Sequence, residues 1–176
     1  MSNLPDPIDV QFGLIHDCIR SCIFADYIAR KTEKKDIWLS LMDMCYADAV
    51  MSWNSIFGTN SQQAHWKKFV DSLPVPDKSK LKPFSSDLIQ EDLKVSSEDW
   101  SKYHREMVDA RNNWIAHFNL DVAMKPFPNV SWALRSCYVY RQWLLALLGE
   151  CRLKVTTTTN AEMKMLFEKQ IAEACI

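Results

Sequence analysis

Glycine is scarce in this chain: only Gly13, Gly58 and Gly149 occur in 176 residues. Phosphate-cradling loops need several glycines close together, so that class is excluded. Scarce glycine also argues against many tight hairpins. Strand-like alternation and internal repeats are missing as well. None of the six cysteines, Cys18, Cys22, Cys45, Cys137, Cys151 and Cys175, forms a CxxC pair. Most sit among apolar residues at helical spacing, where a free thiol behaves as a small hydrophobe. A reducing, cytoplasmic setting is therefore expected, and a secreted disulfide framework is not. Cys18 and Cys22 stand four apart and could share a helix face, but two thiols without matching ligands make no zinc site. No HxH, HExxH or carboxylate cluster points to a metal, and no cofactor is expected.

Charge of one sign is lacking too. The formal net charge is −1, so any contact with nucleic acid must be local and only modestly salt-dependent. Met1 to Pro7 has neither the basic segment nor the apolar run of a signal peptide. The apolar run Trp143 to Leu148 is too short to span a bilayer and is flanked by Arg141 and Glu150. No membrane partner is expected.

What the chain does have is helical periodicity. Hydrophobic residues make up 48% and charged residues 24%, an ordinary globular mix, and the length suits one domain over residues 1–176. Asp6-Pro7 opens a first helix with a capping carboxylate and a proline at its first position. Ile8, Phe12, Ile15, Ile19, Cys22 and Ile23 carry it to about Arg30. A turn is expected in the charged run from Arg30 to Asp36. Trp38, Leu41, Met42, Cys45, Ala49, Trp53 and Ile56 form the stripe of a second helix, with Gly58 as its C-terminal cap. Ser61 to Leu73 reads as a short helix, Leu73 to Pro83 as an exposed connection, and Phe84 to Leu93 as a weaker helix. Ser96 to Asp99 resembles a capping box that starts a strong helix through about Phe118. Pro126 and Pro128 fall in a second loop. Val130 to Arg152 makes another long helix, and Thr159 to Glu162 caps a final one ending near Ala174. The expected fold is all-α: an up-and-down bundle of about four to five long helices with short additions.

One helix breaks its own pattern. At about 100° per residue, Trp100, His104, Met107, Trp114, Ile115 and Phe118 fall within about 60° of Arg111. Arg111 and His104 are thus placed inside an apolar stripe. A buried guanidinium must face a carboxylate, a second subunit or a phosphate. Asp26, in the stripe of the first helix, is a candidate partner for Arg111 or His104, which would make the pair purely structural. His117 lies about 120° round the helix from Arg111, off that face. A second chain on a two-fold axis could close the gap, and Asn112 and Asp121 could orient the imidazole or a phosphate. Two readings stand for His104 and Arg105: part of a phosphate-binding surface, or core packing and a solvated face. Likewise, His65-Trp66-Lys67-Lys68 is either a basic-aromatic patch for RNA or a packed tryptophan with solvated lysines.

Arg111-Asn112-Asn113-Trp114-Ile115-Ala116-His117 resembles the signature of the HEPN superfamily: an arginine, a polar residue, and a histidine a few residues on. Trp53-Asn54-Ser55-Ile56-Phe57-Gly58 followed by His65-Trp66 resembles the AbiU-like abortive-infection branch. By helix order the resemblance covers roughly Ile8 to Leu148. It implies a HEPN-like domain working as a metal-independent endoribonuclease in a bacterial toxin–antitoxin or phage-defence system. It also implies a homodimer, with the arginine and histidine of both subunits in one cleft and RNA as substrate. Carried over, His117 acts on the 2′-hydroxyl or the leaving oxygen, Arg111 holds the scissile phosphate, and Asn112 orients the phosphate or the histidine. An internal 2′-hydroxyl nucleophile restricts the substrate to RNA. A protein antitoxin is a further partner. The alternative is a non-catalytic HEPN-like module for dimerisation or for binding a nucleotide or other ligand.

Overall fold

The computed structural model describes residues 6–31, 36–72, 81–115, 126–150 and 158–174. All regular structure in them is helical: α1 (Pro7–Ala29), α2 (Asp36–Phe57), α3 (Trp66–Ser72), α4 (Ser86–Leu93), α5 (Ser97–Ala110), a π-helical turn (Arg111–Ile115), α6 (Val130–Glu150) and α7 (Asn160–Ala174). No strand occurs among the described residues. No helix there is long and apolar enough to cross a membrane.

The helix starts follow local chemistry. Asp6 accepts a hydrogen bond from the Ile8 amide at 2.9 Å, and Pro7 takes a position where no amide is required. Ser96 and Asp99 close a reciprocal capping box on α5. Thr159 and Glu162 do the same on α7: the Thr159 amide donates to Glu162 at 2.7 Å and the Glu162 amide donates back to the Thr159 hydroxyl at 3.2 Å.

α1 lies at the centre and packs against α2, α6 and α7; α2 also meets α5, the π-turn and α6. One buried cluster runs through these helices, from Ile15, Cys18 and Ile19 through Trp53 and Met107 to Tyr140 and Leu144. Trp53 is fully buried at its middle. Its ring meets Phe57, Trp100, Tyr103 and His104 at centroid distances of 5.4–6.0 Å. The indole N–H would be costly there without an acceptor, and it donates to the Ser136 hydroxyl of α6 at 2.9 Å. Cys18, Cys22 and Cys137 are buried free thiols. A hydrogen bond with Cys137 and burial push Cys18 well above the usual thiol range, and a hydrogen bond with Cys18 and burial do the same for Cys22, which keeps both protonated and inert.

Three expectations are corrected. The segment from Ser61 to His65 is a series of turns, and α3 starts only at Trp66. Helix α5 does not run on in α geometry to Phe118: it widens into the π-turn at Arg111, and residues 116–118 lie outside the described residues. Gly58 does not cap α2 through a left-handed backbone, since no described glycine has a positive φ. Its amide continues the ladder to the Asn54 carbonyl at 3.0 Å. Glycine is required there for space, because a Cβ would stand 2.4 Å from that carbonyl oxygen.

Candidate functional site

The site is built on the contact between α2 and α5. Asn54, 2% exposed, is the hinge of that contact. Its side-chain amide donates to Val50 O on its own helix at 2.8 Å and across to Met107 O on α5 at 2.9 Å. Met107 O is also an acceptor of the Arg111 backbone amide, which is shared between Met107 O and Val108 O. A side chain that inserts into the helical ladder competes for its acceptors, and the ladder opens at that point. The opening begins at the next residue in the sequence of bonds: Arg111 to Ile115 form the π-turn. Such single π-turns inside helices frequently mark functional sites.

A second tie lies about one turn earlier on α5. His104 Nε2 stands 2.8 Å from Phe57 O and 3.2 Å from Gly58 O. Carbonyls cannot donate, so Nε2 carries the proton and closes the C-terminal end of α2. His65, 2% exposed, faces the same helix end. Its Nδ1 accepts the Lys67 amide at 3.2 Å. Burial, helped by Lys67 and His104, pushes the His65 pKa down to about 4. A protonated imidazole would be favoured at a helix C-terminus, but the desolvation cost wins here.

Arg111 stands at the first position of the π-turn, half-buried, and its guanidinium donates to the Asn112 side-chain oxygen at 3.0 Å. The two residues expected to act on a phosphate are thus joined to each other. Asn113 is turned back to the Asp109 carbonyl. The indole N–H of Trp114 is buried and has no acceptor among the described residues. Beside it lies a cleft of about 330 Å³ whose lining includes Glu106, Asp109 and Phe127. His117 and Asp121 lie outside the described residues.

The expected Asp26 pairing is not found. Asp26 is exposed and pairs with Arg30, one turn along α1. His104 serves the carbonyls of α2, and Arg111 serves Asn112. The buried stripe of α5 is Trp100, Tyr103, Met107 and Ala110, which puts Arg111 at its border. Among the described residues the buried arginine is Arg141 on α6, 7% exposed. It is satisfied by neutral oxygens, the Asn160 side chain at 2.9 Å and the Thr158 carbonyl. Sequence reasoning assigned no role to Asn54 or Arg141. The available signal was a polar side chain at apolar spacing on a long helix.

Among the described residues, no group of three or more His, Cys, Asp or Glu lies close enough to hold a metal ion. No family model, curated protein or solved structure matches the chain. The HEPN resemblance therefore rests on its residue words alone.

Proposed function

We propose that the chain is a metal-independent endoribonuclease of the HEPN type, acting as a homodimer in a bacterial toxin or phage-defence system. The observation that carries this reading is the π-turn at Arg111–Ile115, which opens the helix where the motif begins and joins the Arg111 guanidinium to Asn112. The word Trp53 to Gly58 gains a role in support of it. Through Asn54, that word acts on the carbonyl that positions Arg111.

In this reading the 2′-oxygen of the substrate attacks the adjacent phosphorus, and the bond to the next nucleotide's 5′-oxygen breaks. His117 of one subunit takes the 2′-hydroxyl proton, and its copy in the second subunit gives a proton to the leaving oxygen. The Arg111 side chains neutralise charge on the phosphoryl oxygens. The products are a 2′,3′-cyclic phosphate and a 5′-hydroxyl. Helix α2 offers a surface of the kind a dimer needs: Ile37, Leu41, Met44 and Met51 are exposed along one face at helical spacing.

One observation favours the non-catalytic reading. Glu106 and Asp109 line the cleft beside Trp114, and two carboxylates repel a phosphate. Growth separates the two. Expression of the wild type is expected to arrest growth, with Arg111→Ala or His117→Ala restoring it. An arrest that both variants leave intact overturns the assigned roles.

A further inference from the structure

A second cleft, of about 510 Å³, lies between the end of α2, the start of α3 and the first half of α5. Its volume is in the range of small-ligand sites. The wall is aromatic: the half-buried Trp66 ring is held edge-on by Phe84 at 4.9 Å and stacks on His65 at 5.8 Å. The rim is cationic, with Lys67 on α3 and Arg105 on α5, and among the described residues no Asp or Glu lines the cleft. Neither cation belongs to an ion pair among the described residues.

The Lys67 ammonium lies 5.5 Å over the Trp66 ring. The group over the ring there is an exposed, flexible side chain. A planar ligand can displace the ammonium from that face, and the freed lysine can then reach an anion at the rim. His104 also lines the cleft, with Nε2 committed as a donor to the α2 carbonyls and Nδ1 as its second polar ring atom. Thr59 and Ser101, both exposed, supply hydroxyls at the mouth.

We infer that this cleft binds a planar ring carrying a phosphomonoester, with the ring on Trp66 and the phosphate between Lys67 and Arg105. The assignment is separate from RNA cleavage at Arg111 and stands whether or not the chain cuts RNA. The test is calorimetric titration of the full chain with AMP, adenosine and inorganic phosphate, with Trp fluorescence as a second signal. AMP is expected to bind at least tenfold more tightly than either half-ligand. Lys67→Gln and Arg105→Gln, both surface changes, are each expected to weaken AMP about tenfold. Trp66→Phe should weaken AMP and adenosine alike while leaving phosphate unchanged. A 5′-phosphorylated RNA trinucleotide distinguishes the source. Tighter binding than AMP assigns the site to an RNA end, and weaker binding assigns it to a free mononucleotide. No binding of AMP, AMP no tighter than phosphate or adenosine, or variants that bind AMP as the wild type does overturns the inference.

Discussion

Replacing Asn54 with alanine removes the tie between α2 and the end of α5, and the structure sets the size of the effect. Two hydrogen bonds disappear, to Val50 O and Met107 O. Each contributes about 1 kcal/mol net. The site is 2% exposed, so the lost side-chain volume becomes a small cavity and adds about 1 kcal/mol more. The expected loss is about 3 kcal/mol, a large share of the ~5–15 kcal/mol stability of a domain. Asn54→Asp should cost more, because a carboxylate oxygen would face two carbonyl oxygens. Urea denaturation at pH 7 with an unchanged m-value measures both. A loss below about 1 kcal/mol for Asn54→Ala refutes the hydrogen-bond account. The causal step has its own check. With Asn54 gone, Met107 O is left to the backbone, and the turn at Arg111–Ile115 should tighten toward α geometry. A variant structure that keeps the π-turn refutes that step.

Other consequences concern pH, space and the last helix. His65 is held uncharged with a pKa of about 4 against an ordinary 6.5. The unfolded chain therefore takes up a proton first as pH falls. The stability contributed is complete above pH 6.5 and is lost toward pH 4, by at most about 3 kcal/mol. His65→Gln should flatten the pH dependence of unfolding in that window, leaving the smaller slope from His16, also lowered chiefly by burial; an unchanged slope contradicts the assignment. Gly58→Ala should destabilise by about 1–3 kcal/mol, because the obstructing atom is the Asn54 backbone oxygen and cannot rotate away. A neutral effect in thermal unfolding would show that the α2 end yields more easily than this. Arg141→Ala should cost about 2 kcal/mol and speed amide exchange at the start of α7, since Arg141 holds Thr158 and Asn160. Unchanged exchange there argues against the tether.

What the sequence made legible was local. Asp6-Pro7, Ser96 with Asp99, and Thr159 with Glu162 each carry their cap within a few residues, and each cap is formed. The stripe of Trp53 and Ile56 foretold the core because large apolar side chains leave little choice of face. What stayed hidden was non-local. The contact just before the π-turn comes from a side chain on α2, 53 residues away from the carbonyl it meets. Asp26 pairs with Arg30 and not across the bundle, because a neighbour one turn along competes without any cost of tertiary ordering. The apolar pattern of α5 centres on Arg111 while the buried face centres on Met107, because Tyr103 and Ala110, amphipathic or small, carry little weight in a hydrophobic pattern. Neither reading of His65 to Lys68 places His65 itself in the interior, yet it is buried under the end of α2. Of the candidate site, Arg111 and Asn112 are brought together, while His117 lies outside the described residues.

The central claim is tested most directly by incubating the purified protein with total RNA in EDTA and analysing the new ends. The account predicts cleavage that yields 2′,3′-cyclic phosphate and 5′-hydroxyl ends. It also predicts a rate reduced about 100-fold or more in His117→Ala, the scale on which positioned proton transfer acts. Intact RNA, cleavage that requires a divalent metal, or a His117→Ala protein that cuts at the wild-type rate contradicts it.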